Sequence, residues 1–158
     1  MSSRSKGKIP IRTPAEIAAI RDACQVAASI LERLVPMVGP GVVTYDIEAE
    51  ARRLFREFGA ESPSFNYVLP NHTPFPGYIC ISVSDEIVHG SGNMRKTLKP
   101  GDNVTLDVAV RYRGWIGDNA RTLAVGAVSG DMQQLLARTE EALYEGITQA
   151  TPDNRVVA

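Results

Sequence analysis

The 158-residue sequence predicts an α+β fold, with helices covering one face of an antiparallel sheet. Three observations carry that expectation. Gly101–Leu123 reads as two strands joined by a tight turn. Two segments with helical periodicity precede it and a third follows. Tyr78–Gly92, between them, alternates like a second short hairpin.

Residues 1–12 (MSSRSKGKIPIR) form a basic, polar arm with no apolar run behind it, so it is not a secretory signal. Arg4, Lys6, Lys8 and Arg12 suit contact with RNA or a ribosome, against the plainer reading of a solvated tail. The domain proper is expected over 13–158. Thr13 caps the first helix, Pro14 suits its first position and Glu16 completes a capping box. Ile17, Ile20, Cys24, Ala27, Leu31 and Leu34 make one apolar stripe, which assigns Cys24 to the core. Pro36 and Gly39-Pro40-Gly41 end that helix.

Thr44 is read as the cap of a second helix, with Ile47, Ala51, Leu54, Phe55 and Phe58 inward and Gly59 as its stop. Ala60–Pro76 is a long connection whose Phe65, Tyr67, His72 and Phe75 suit a pocket wall better than a linker. His72, with no motif behind it, reads as an exposed loop residue. In Tyr78–Gly92, Ile79, Ile81 and Val83 alternate, Ser84-Asp85 offers a turn, and Glu86–His89 is expected to return beside them. Gly126–Gly130 is expected to close the sheet. Asp131–Ala150 reads as a third helix with Met132, Leu135, Leu136, Leu143 and Ile147 inward.

The central hairpin carries the chemistry. Val104, Leu106, Val108 and Val110 share one face. A two-residue turn at Arg113-Gly114 sets Asp107 opposite Ala120 and Asp118 opposite Ala109, as diagonal neighbours on the other face. A turn shifted back by one residue would set the two carboxylates directly opposite one another, and both registers put them together on that face. Like charges so placed repel unless one is protonated or a cation lies between them, and divalent metal ions are the candidates.

Composition narrows the classes. The net charge of −1 gives no sign of bulk nucleic-acid binding, and no segment is apolar and long enough to span a membrane. Cys24 and Cys80 form neither a disulfide framework nor a CxxC zinc spacing, which favours a reducing, cytoplasmic setting.

The motifs ICISVSDEIVHG, GDNVTLDV and GDNART, in that order and spacing, resemble the N-terminal half of a type I methionine aminopeptidase. The resemblance runs from about Thr13 to the end of the chain. It implies a pita-bread fold, two similar halves around two divalent metal ions (Co, Mn, Fe, Zn or Ni), and removal of the N-terminal Met from nascent polypeptides. It implies that Asp107 chelates one metal, that Asp118 bridges both, that His89 hydrogen-bonds the substrate near the scissile bond, and that Cys80 and Phe75 line the methionine pocket. Ser84 stands where the family usually has Asn, at a position tied to a monovalent-ion site in some members. The family's remaining ligands, a His in a Gly-His-Gly context and two Glu, have no counterpart in this sequence. Three readings therefore stay open: a partial metallo-aminopeptidase, one half of a split enzyme completed by another chain, and a non-catalytic binding member of the fold. An uncovered half would tend toward self-association.

Overall fold

The structure, a computed structural model, describes residues 10–68 and 73–155. Its main elements are α1 (Pro14–Leu34), α2 (Thr44–Phe58), β1 (Cys80–Val83), β2 (Asn103–Tyr112), β3 (Trp115–Ala124) and α3 (Gly130–Gln149). The strands form one antiparallel sheet in the order β1-β2-β3.

The β2–β3 hairpin follows from its turn. Arg113 and Gly114 both have positive φ (50° and 84°), the twist that suits a two-residue hairpin. The register is then fixed: Tyr112 faces Trp115, Ala109 faces Asp118 and Asp107 faces Ala120. Period-two alternation sends Val104, Leu106, Val108 and Val110 to one face, and all four are fully buried. They pack with Ile30, Leu31 and Leu34 of α1, Ile47, Leu54 and Phe55 of α2, and Ile79 and Ile81.

The capping box of α1 is formed. Glu16 N–H donates to Thr13 Oγ1 (3.3 Å) and Thr13 N–H donates back to the Glu16 carboxylate (2.7 Å). Its buried face is Ala23, Ala27, Ile30, Leu31 and Leu34, about one residue round from the expected stripe. Cys24 is exposed, which corrects its assignment to the core. The reason is Gly117 of β3. A Cβ there would sit 2.3 Å from the Ala23 carbonyl oxygen, so helix and strand meet backbone to backbone and small alanines must face inward.

Four further expectations are corrected. Thr44 is the first residue of α2 and not its cap; its hydroxyl donates to Gly92 O (3.2 Å) and accepts from Lys96 N–H (3.0 Å), tying a distant loop to the helix. The hairpin within Tyr78–Gly92 does not form. β1 pairs with β2, placing Cys80 opposite Asp107, and 86–89 carries no strand. The chain does turn at Ser84-Asp85, but the long alternating edge of β2 is the better partner. Gly126–Gly130 does not close the sheet, since β3 ends at Ala124 and Ser129 caps α3. No residue of α3 is buried, and Leu135, Leu143 and Ile147 are more than half exposed, so its stripe does not face the core.

Candidate active site

The uncovered face of the sheet holds the two aspartates. Across the strands, Cys80 (β1) lies opposite Asp107 (β2), and Asp118 (β3) lies diagonal to Asp107 beside Ala109. Together with His89 and Phe75 they line one open cavity of about 510 Å³, whose remaining wall includes Pro63, Tyr67 and Pro76. Five residues from four stretches of chain thus meet at one place. His72 lies outside the described residues, as do residues 1–9 of the basic arm.

Each side chain has a local cause for its position. Asp107 and Asp118 are carried by the register of the hairpin. His89 has φ of +61°, an uncommon conformation for a residue with a Cβ. Gly90 explains why it is held there. Gly90 lies so close to β1 that a Cβ would come 2.3 Å from Ile81 O. It also donates to Ser82 Oγ (3.1 Å) and accepts from Ile81 N–H (2.8 Å). The glycine docks on the strand, and the preceding histidine is left exposed at the cavity. Phe75 exchanges backbone hydrogen bonds with Asn66 and Tyr67 (each 2.9 Å), which folds the long connection back on itself. Tyr67 joins Phe75 at the cavity, whereas Phe65 turns away to pack on Tyr78, with ring centroids 4.7 Å apart.

Electrostatics mark the same place. Burial, and next the negative charge of Asp118, raise the Asp107 carboxyl above the usual aspartate range; His89 acts in the opposite sense. Burial and the same two aspartates push the Cys80 thiol up to about 11, with a smaller contribution from Glu48. Cys80 is therefore a neutral, apolar surface and not a thiolate nucleophile. Two adjacent carboxylates, one partly desolvated, form an anionic cleft that favours a cation. Among the described residues no group of three or more His, Cys, Asp and Glu side chains is placed to hold a metal ion, so the aspartates fit as part of a ligand set. Glu86, Ser84 and Asp102 lie apart from this pair. Ser84 donates to Asp102 Oδ1 (2.8 Å), and Glu86 pairs with Lys96 (2.7 Å).

One buried acidic side chain escaped the sequence reading. Glu48 of α2 is completely buried, on the same face as Ile47, Ala51 and Leu54. An acid inside an apolar helical stripe was the signal available.

The chain matches metallopeptidase family M24 over residues 18–158. Methionine aminopeptidase B of Synechocystis sp. is 38% identical over 141 residues, which cover 89% of this chain and 52% of that protein. The methionine aminopeptidase of Aquifex aeolicus is 38% identical over 149 residues, covering 94% of this chain and 58% of its own length. The crystal structure of methionine aminopeptidase from Rickettsia prowazekii superposes with a TM-score of 0.81 at 32% identity, over 88% of this chain and 54% of that one. The chain thus spans a little over half the length of the curated relatives it matches. The sheet, its helical cover and the aspartate pair are half of a pita-bread fold, and this chain belongs to metallopeptidase family M24.

Proposed function

We propose that the chain supplies one half of the active site of a metal-dependent methionine aminopeptidase, acting in the cytoplasm on the N-terminal Met of nascent polypeptides. The observation that carries the reading is the convergence of Phe75, Cys80, His89, Asp107 and Asp118 on one cavity. Asp107 and Asp118 would hold divalent metal, two ions with Asp118 shared between them, the metal being Co, Mn, Fe, Zn or Ni. When bound, such ions polarise a carbonyl and lower the pKa of bound water. The protein's own part is positioning. The neutral Cys80 thiol and the Phe75 ring offer a soft, apolar wall that suits a thioether side chain. His89, in a left-handed backbone conformation at the cavity, would hydrogen-bond a substrate amide. The basic arm of residues 1–12 suits a position near the ribosome.

Reconstitution tests this. The chain, mixed with the separately expressed C-terminal half of a full-length relative, is expected to cleave Met-Ala-Ser with added Co²⁺ or Mn²⁺. The chain alone is expected to show no useful turnover. Asp118→Asn should abolish activity of the mixture and weaken binding of the second ion. Full activity in that variant would remove Asp118 from the site. Selective binding of Met peptides without cleavage in any mixture would instead favour the non-catalytic binding role.

A further inference from the structure

We propose that the pair formed by the buried Glu48 and the partly exposed Arg52 of α2 is a positioning device that holds two walls of the cavity in fixed relation and so sets which side chain the cavity accepts. The proposal rests on the peptide-binding reading above.

One wall is the segment from Phe75 to Cys80. Glu48 Oε1 accepts from Tyr78 N–H and from Arg52 Nε, each at 2.8 Å. Arg52 Nη2 donates to Pro76 O (3.1 Å), and its guanidinium lies over the Tyr78 ring, 5.2 Å from the centroid. Pro76 and Tyr78 are the backbone links between Phe75 and Cys80. The pair therefore fixes the spacing of the two residues that line the apolar part of the cavity.

The other wall is the His89 segment. Gly92 lies against the same glutamate, where a Cβ would come 2.6 Å from Glu48 Cβ. Asn93 Nδ2 donates to Pro76 O (2.8 Å), the carbonyl that Arg52 also holds. Two residues earlier than Gly92, Gly90 is docked on β1 and fixes His89. The glutamate thus holds the first segment directly, through Tyr78 N–H, and the second by contact of Gly92 with its Cβ and by the Pro76 carbonyl that Arg52 and Asn93 share.

The arrangement is a poor choice for stability alone. Glu48 Oε2 is buried and finds no hydrogen-bond partner among the described residues. Buried polar atoms are nearly always paired, and an apolar pair of similar volume usually serves a core as well as an ion pair or better. What an apolar pair cannot supply is a bidentate hold on the Pro76–Tyr78 backbone.

The discriminating variant is the double substitution Glu48→Leu with Arg52→Met in the 158-residue chain, with Arg53→Met, which removes only exposed pairs, as control. Binding of Met-Ala-Ser and Leu-Ala-Ser peptides is followed by NMR titration, and backbone amide exchange is measured in parallel. The double variant should remain folded, somewhat less stable for the unpaired Tyr78 N–H, yet lose its preference for Met by about tenfold or more. Exchange at Ile81 and Gly90, whose own hydrogen bonds do not involve Glu48, should rise about tenfold while β2–β3 amides stay protected. A general loss of folded protein would weaken both peptides equally and leave their ratio unchanged. Parent-like selectivity and parent-like exchange in the double variant would overturn the proposal. If the parent itself prefers neither peptide, the exchange data alone decide whether the brace exists, and parent-like exchange in the double variant then overturns it; the functional reading is decided by the reconstituted mixture.

Discussion

Helices α1 and α3 are a matched pair in sequence and opposites in the fold. Both run about twenty residues, both begin on a hydroxyl cap, and both carry an apolar stripe. The face of α1 is sealed against the sheet, whereas α3 leaves Leu135, Leu143, Tyr144 and Ile147 more than half exposed. Amphipathicity states that a helix has a face to bury; it does not name the surface that buries it. For α1 the surface is supplied by Gly117 and the valine face of β2. For α3 the described residues supply an open groove between it and the end of β3 at Arg121 and Leu123, walled also by Ala28 and Leu31 of α1 and by Val35.

The comparison is broken most severely at Gly117. Replacement by Val puts a Cβ into the backbone of α1, which no side-chain rotation relieves. Gly117→Val is expected to lose the cooperative melt, measured by circular dichroism. Leu34→Ala comes next, with a cost of about 2–5 kcal/mol at a fully buried site, read by denaturant titration. Its counterpart on the other helix, Leu143→Ala, is expected to change the midpoint by no more than about 0.5 kcal/mol. Equal costs for the two would show that α3 is packed after all.

A smaller effect is written in pH. The Thr13 backbone N–H and hydroxyl, aided by Arg12, hold the Glu16 carboxyl below the usual glutamate range. A carboxyl lowered in the folded state adds stability above its unfolded pKa and loses it as pH falls through the folded pKa. Glu16→Gln should therefore melt earlier than the parent at pH 7, with the gap closing in acid. A gap that persists undiminished at pH 2 would place the effect elsewhere. Smallest in stability is the pair Leu135→Glu with Leu143→Glu. It is expected to leave the melt in place while reducing concentration-dependent association, followed by light scattering.

What the sequence allowed to be read depended on how local the determinant was. The β2–β3 hairpin was legible because its turn is local, at Arg113 and Gly114, and the structure has the first of the two registers it allowed. The shared face of Asp107 and Asp118 followed at once. The partner of β1 was not legible. Ser84-Asp85 signals a turn, and a turn invites pairing with the next residues, but a strand's choice of edge is decided by distant surfaces. The same applies to α1, whose face is rotated by a contact with Gly117 nearly a hundred residues away. Glu48 was visible as an oddity within an apolar stripe, but its partners at Pro76 and Tyr78 were not. The family motifs named Cys80, His89, Asp107 and Asp118 as site residues, three on strands and His89 on a loop that periodicity cannot place, and the structure lines one cavity with all four.

The hairpin that aligns the aspartates also has a kinetic consequence. Its contacts are close in sequence, and such hairpins assemble in about 1–10 μs, well before distant segments dock. Asp107 and Asp118 therefore meet early, while β1 and the helices are still being recruited. Their repulsion is felt on the way up the folding barrier as well as in the finished protein. Neutralising one of them, as in Asp118→Asn, should then quicken folding more than it slows unfolding.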